Sequence, residues 1–216
     1  MGFQGRSAEY LAERMRNLGA ALVAIACWAG LAIQFSHTYG FEHQLPLTLW
    51  VIARFFTVTT NFLLALVMTW VAIGRRASPE VLGGLTLSII LVGVVYWALL
   101  QNLHHPEGAA HVANILMHRV TPIGTTLWWL FFAPRGRLKW NAPWLWVAYP
   151  IAYFVYALAR GQIDGKYPYP FIDVGHLGWL QVTINAGGIA LGFIICGFLL
   201  VWIDGWRPLG SRRANG

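Results

Sequence analysis

The sequence predicts an all-α membrane protein with six transmembrane helices and both termini in the cytoplasm, and three observations carry that expectation. Of 216 residues, 57% are hydrophobic and only 11% are charged, where soluble domains carry about 25%. Apolar stretches near the ~20 residues needed to cross hydrocarbon recur along the chain, with turn-forming residues between them. Basic residues alternate between abundant and scarce from one loop to the next, the pattern of a chain that threads back and forth across a bilayer.

The first span is expected over 18–35, after a polar leader carrying Arg6, Arg14 and Arg16. This apolar run exceeds a usual signal-peptide core and no small-residue cleavage site follows it, so it reads as an uncleaved helix. Five more spans are expected over 47–73, 81–101, 111–132, 144–160 and 178–203. Gly and Pro punctuate the connections at 74–79, 106–108, 134–143 and 161–170, as turns require. No repeat or low-complexity segment intervenes, so residues 1–216 read as a single six-helix domain. Trp50, Trp70, Trp97, Trp140, Trp144, Trp179 and Trp206 fall near span ends, as an interfacial belt does.

The formal charge of +7 and the pI of about 9.9 reflect those loops and not a nucleic-acid partner. Eleven Lys and Arg fall on one side: the three of the N-terminus, Arg75, Arg76, Arg135, Arg137, Lys139, Arg207, Arg212 and Arg213. Arg160 and Lys166 are the two on the other, and Arg54 and Arg119 lie within spans. The positive-inside rule makes the crowded side cytoplasmic. All seven histidines then belong to the extracytoplasmic half. Cys27 and Cys196 each sit inside an apolar run, so neither a disulfide nor a cysteine metal site is expected.

Two polar stripes interrupt the apolar helices. Arg54, Thr57 and Asn61 lie in RFFTVTTNFLLA, and His111, Asn114, His118 and Thr121 in HVANILMHRVTP. The second set recurs at intervals of three and four residues, which keeps it on one helical face. At 1.5 Å per residue, Thr57 lies about 15 Å below Leu47 and His118 about 10 Å below His111. The stripes thus descend from the same face to comparable depth.

A membrane-helix Thr ordinarily bonds the carbonyl four residues back, and a lone His is ordinarily a hydrogen-bonded interhelical residue. Together they admit a second reading. An imidazole in apolar surroundings stays neutral and can accept a hydroxyl proton, which makes Thr57 an acyl-transfer nucleophile. Asn61 or an Arg would then hold the developing oxyanion. Arg54 is expected to snorkel toward the interface, and the deeper Arg119 to mark a polar cavity or an acidic partner such as Asp173 or Asp164. Tyr153 lies on a polar face of the fifth span, and Asn185 begins the sixth above Gly188, Gly192 and Cys196, whose spacing suits close helix packing. A metal or haem site using His111, His118, His104, His105 or His176 is a further alternative, but no HExxH and no i, i+4 His pair is present. No metal or other cofactor is expected. A non-catalytic lipid- or small-molecule-binding protein or transporter remains open alongside the hydrolase.

RFFTVTTNFLLA, HVANILMHRVTP and YPYPFIDVGHLG, on six spans, resemble the androgen-induced membrane proteins of animals, the androgen-dependent regulator of tissue-factor-pathway inhibitor, and their bacterial relatives. The resemblance runs from about His37 to the last helix. It rests on an aromatic residue before Thr in the second span, Met-His with a Pro four residues beyond in the fourth, and Tyr-Pro-Phe followed by an acid and a Gly after the fifth. It implies an intramembrane threonine hydrolase acting on fatty acid esters of hydroxy fatty acids, with Thr57 as nucleophile and His118 as base. Asn61 comes four residues after Thr57 where the animal pattern has three, which makes Thr60 the reserve nucleophile. The implied partners are a lipid substrate and the bilayer. The implied location is a prokaryotic cytoplasmic membrane, with the active site on the extracytoplasmic side.

Overall fold

The computed structural model describes residues 3–103 and 105–206, so His104, Arg207, Arg212 and Arg213 lie outside the described residues. Within them all regular structure is helical. The helices are α1 (Phe3–Glu42), α2 (Leu45–Ile52), α3 (Phe56–Ala72), α4 (Pro79–Val95), α5 (Gly108–Ile115), α6 (Thr121–Phe132), α7 (Ala142–Trp146), α8 (Ala148–Asp164) and α9 (Val174–Gly205). Two π-helical turns, Tyr96–Leu100 and Leu116–Val120, continue α4 and join α5 to α6, and Pro170–Ile172 forms a 3₁₀ turn.

Four helical stretches among the described residues are long and apolar enough to cross a membrane: Glu9–Glu42, Pro79–Leu100, Ala142–Asp164 and Val174–Gly205. A fifth exists if α2 and α3 form one broken span. The stretch from Gly108 to Phe132 is not among them; His111, Asn114, His118, Arg119 and three threonines dilute its apolar character.

The expected straight helix over 47–73 is instead broken, with α2 and α3 meeting at 99°. Arg54 N–H reaches only to Val51 O (3.3 Å) and Phe55 N–H to Ile52 O (3.2 Å). These short-range bonds tighten the end of α2. Phe55 is extended (φ −91°, ψ 130°), and the chain leaves in a new direction. No Pro or Gly marks the break, which is why hydropathy runs through it. The uniform descent from Leu47 to Thr57 therefore does not hold.

The chain forms two compact units, one from Met1–Ser78 with Ser88–Phe132 and the other from Pro79–Leu87 with Ala133–Gly216, each taken over its described residues. In the first unit α1 packs along α3, α5 and α6. Cys27, Leu64, Ala65, Met68 and Trp129 are buried there. Trp indoles tie the long helix down: Trp128 Nε1 donates to Arg16 O (2.9 Å) and Trp28 Nε1 to Thr69 Oγ1 (3.1 Å). Gly30 brings α1 against the second π-turn, since a Cβ there would stand 2.8 Å from Met117 Cγ and 3.3 Å from Leu116 Cβ.

In the second unit Trp146 covers the start of α4. Its Nε1 donates to Glu80 O (2.9 Å), and its ring occupies the space that side chains at Gly83 and Gly84 would need. The buried Asp204 holds the 133–141 loop, its Oδ2 accepting the N–H groups of Arg137 and Leu138, both at 2.9 Å. Gly165 ends α8 in the left-handed conformation (φ 70°), where L-residues are strained. Asp173 caps α9, and Gly178 (φ 73°, ψ 162°) kinks it, at the residue where the sixth span is expected to begin.

Gly84→Leu should destabilise the protein by about 1–3 kcal/mol through overpacking, because even its Cβ would lie 2.7 Å from Trp146 Cδ1. Gly124→Ala, whose Cβ would meet Val23 Cγ2 at an ordinary 3.6 Å, should be neutral or stabilising by up to about 1 kcal/mol. Thermal unfolding midpoints of the two variants in one detergent check both.

Candidate functional site

The first unit gathers the polar stripes of α3 and the second π-turn. Thr57 falls in the first turn of α3 because the break at Phe55 restarts the helix there, and no side chain caps that end. His118 lies at the centre of the π-turn Leu116–Val120, where Thr121 N–H reaches back five residues to Leu116 O. Thr57 Oγ1 and His118 Nε2 are 3.2 Å apart.

The other imidazole nitrogen fixes the tautomer. His118 Nδ1 lies 3.1 Å from Asn114 O, and a carbonyl oxygen only accepts, so Nδ1 carries the hydrogen. Nε2 is then the bare nitrogen and Thr57 O–H the donor. A hydroxyl, an imidazole and an acceptor are thus in line, the geometry that activation of a nucleophile by a base requires, with a main-chain carbonyl in the third position. Asp173 belongs to the second unit, where it caps α9, its Oδ1 accepting from His176 N–H at 3.2 Å.

Asn61 joins the two elements. Its Nδ2 donates to Thr57 O (2.9 Å) and Met117 O (3.4 Å), while Thr121 Oγ1 lies 2.8 Å from its Oδ1 and 3.2 Å from Met117 O. Asn61 and Thr121 are both fully buried. Since both amide hydrogens face backbone carbonyls, Asn61 can act on an oxyanion only by releasing one of them. Its place is that of a clamp. Thr60 is fully buried on the same helix.

Arg54 does not snorkel outward; it lies in the break between α2 and α3 and is 7% exposed, because the bend removes it from the α3 face that carries Thr57 and Asn61. Arg119, expected to mark a polar cavity or an acidic partner, is exposed. Asn114 contributes through its main chain and not through its amide. Tyr153 and Asn185 belong to the second unit. There Tyr153 leans on Tyr156 at 6.2 Å, and Asn185 Nδ2 donates to Phe171 O at 2.9 Å. His111 is exposed. No group of three potential metal ligands occurs among the described residues.

One residue of the site is unmarked in the sequence. The Tyr96 ring stacks on His118 at 4.2 Å between centroids and 28° between planes. Tyr96 sits in an apolar run beside Trp97, where it reads as part of a span and its aromatic belt. A lone tyrosine off any polar stripe carries no signal of its partner.

Asn61→Ala should lower stability by about 2–4 kcal/mol, because it removes the amide bonds to Thr57 O and Met117 O and the acceptor of Thr121 Oγ1, and losing one partner of a buried hydrogen bond costs about 1–3 kcal/mol. Asn61→Asp, which keeps the acceptor for Thr121 but loses the donors, should lower it as well. Denaturation of both variants in detergent tests the clamp without reference to activity.

Comparison with protein-family models, curated proteins and solved structures finds no match to this chain.

Proposed function

We propose that the protein is an intramembrane hydrolase of lipid esters, with Thr57 as nucleophile and His118 as general base. The observation that carries the reading is the 3.2 Å approach of Thr57 Oγ1 to an imidazole nitrogen whose tautomer leaves it free to accept a proton. General-base catalysis works over heavy-atom distances of about 2.6–3.2 Å.

In the first step the Oγ1–H proton passes to Nε2 while Oγ1 bonds to the ester carbonyl carbon. The imidazolium then returns that proton to the departing alkoxide as the acyl–oxygen bond breaks. Water, deprotonated by the same nitrogen, releases the acid and restores Thr57. The position of Thr57 in the first turn of α3 supports this chemistry, because the positive end of a helix favours negative charge developing beside it. Arg54, buried three residues before Thr57, supplies positive charge for an acidic lipid.

The topology in this reading is six spans with both termini cytoplasmic, in a prokaryotic cytoplasmic membrane, with a pocket open to the extracytoplasmic half. The stretch from Gly108 to Phe132 is then a span whose polar residues line that pocket, where ionisable groups in membrane helices are expected to face. The loop charges support this orientation. The resemblance to the androgen-induced and androgen-dependent membrane hydrolases names fatty acid esters of hydroxy fatty acids as the substrate class.

Mass spectrometry of the protein treated with a fluorophosphonate should find the adduct on Thr57. Thr57→Ala and His118→Ala should each reduce labelling and ester cleavage by at least about 10³-fold, within the range seen when one member of such a unit is removed, while the helical circular dichroism is unchanged. Full labelling of folded Thr57→Ala would overturn the assignment. The wild-type rate should fall tenfold per pH unit below the acid limb of its profile, as protonation removes the base.

A further inference from the structure

We propose that Tyr96 is a positioning residue for this reaction: its ring holds the His118 imidazole in line with Thr57 and stabilises the imidazolium formed as the Thr57 proton is transferred. The inference rests on the reading of Thr57 and His118 as nucleophile and base.

Three observations carry it. The two rings are in face-to-face contact at 4.2 Å and 28°, and Tyr96 is 9% exposed, so the stack is internal. Both rings stand on π-turns, Tyr96 opening the one over Tyr96–Leu100 and His118 at the centre of the one over Leu116–Val120. Such turns are rare and recur at functional sites. The approach of the two elements is also built in. Gly93, three residues before Tyr96, lies where a Cβ would stand 3.0 Å from Pro122 Cβ and 3.5 Å from His118 O, so the absence of a side chain lets α4 close on the turn carrying the base.

The geometry gives Tyr96 two effects. The bond from Nδ1–H to Asn114 O fixes one point of the imidazole but leaves the ring free to rock about the Nδ1···O line. A flat partner against its face removes that freedom and aims Nε2. The second effect is electrostatic. The partner of Nδ1 is a neutral carbonyl and not a carboxylate, and the next residue in sequence, Arg119, carries a charge of the same sign as an imidazolium. The tyrosine π-face is negative, and cation–π attraction strengthens where water is excluded. It thus replaces part of what a carboxylate supplies in other triads.

The test uses the full chain in detergent, with Tyr96→Phe, Tyr96→Leu and Tyr96→Met. Rates of fluorophosphonate labelling and of hydrolysis of a 4-nitrophenyl acyl ester are measured across pH. Tyr96→Phe, which keeps the ring, should stay within about 3-fold of wild type. The two non-aromatic variants should lose about 3- to 30-fold in rate, the span of a cation–π contact from exposed to desolvated. The loss should fall in kcat with KM nearly constant, and the acid limb of the profile should move to lower pH. A merely structural role would lower the amount of active protein and leave the position of that limb unchanged. Wild-type rate and pH profile in either folded non-aromatic variant would overturn the proposal. Proton spectra of histidine-labelled protein supply a readout independent of reactivity. The His118 ring protons should show a ring-current shift in wild type and Tyr96→Phe that disappears in Tyr96→Leu and Tyr96→Met. Its absence in wild type would overturn the stack. A wild type that shows the shift but takes no fluorophosphonate on Thr57 would overturn the hydrolase reading instead, and with it Tyr96's part in that reaction.

Discussion

The arrangement of the first unit depends on one amide. Asn61 bonds within its own helix to Thr57 O and across to Met117 O, and accepts from Thr121. It therefore fixes the start of α3 against the π-turn on which His118 stands. In an apolar interior each of those groups would be costly if left alone, so the alternatives to this register are disfavoured as strongly as the register itself is favoured. The hydroxyl and the imidazole need no strong attraction of their own. They meet because their backbones have already been joined one turn away.

Two glycines allow the same turn to be enclosed. Gly30 admits Met117 and Leu116 from the side of α1, and Gly93 admits Pro122 from the side of α4. Close approach through small residues is the usual route to tight helix packing where solvent supplies no hydrophobic drive. Here it presses two helices onto the π-turn that carries the imidazole. Rigidity around His118 is thus produced by backbone contact, and the imidazole orientation follows from it.

Much of this was legible in the sequence, and the parts that were not share a cause. Helical character, apolar runs and the polar stripe with His118 and Thr121 follow from composition and three-to-four spacing, which survive small changes in geometry. The nearness of Thr57 to His118 came from motif resemblance and not from spacing. Arg54 was misplaced because RFF carries no Pro or Gly, so the periodicity of 47–73 reads through a 99° break. The exposure of Arg119 is hidden because an apolar run reads as interior along its whole length. The carbonyl of Asn114 and the ring of Tyr96 were invisible for a different reason. The first acts through the main chain, which every residue possesses, and the second through a contact between segments that share no pattern.

The π-turn also determines which kinds of sequence change the site can absorb. A π-turn accommodates one residue more than the helix around it needs, and each residue of an α-helix advances the face by about 100°. Losing any single residue between Leu116 and Val120 would let the segment relax into a regular helix while leaving its hydrophobicity nearly unchanged. His118, if retained, would then be swung about a quarter of a turn relative to the residues on the other side of the deletion. The length of this short segment therefore carries as much information as its composition: an alignment gap within it would mark a protein whose imidazole faces elsewhere.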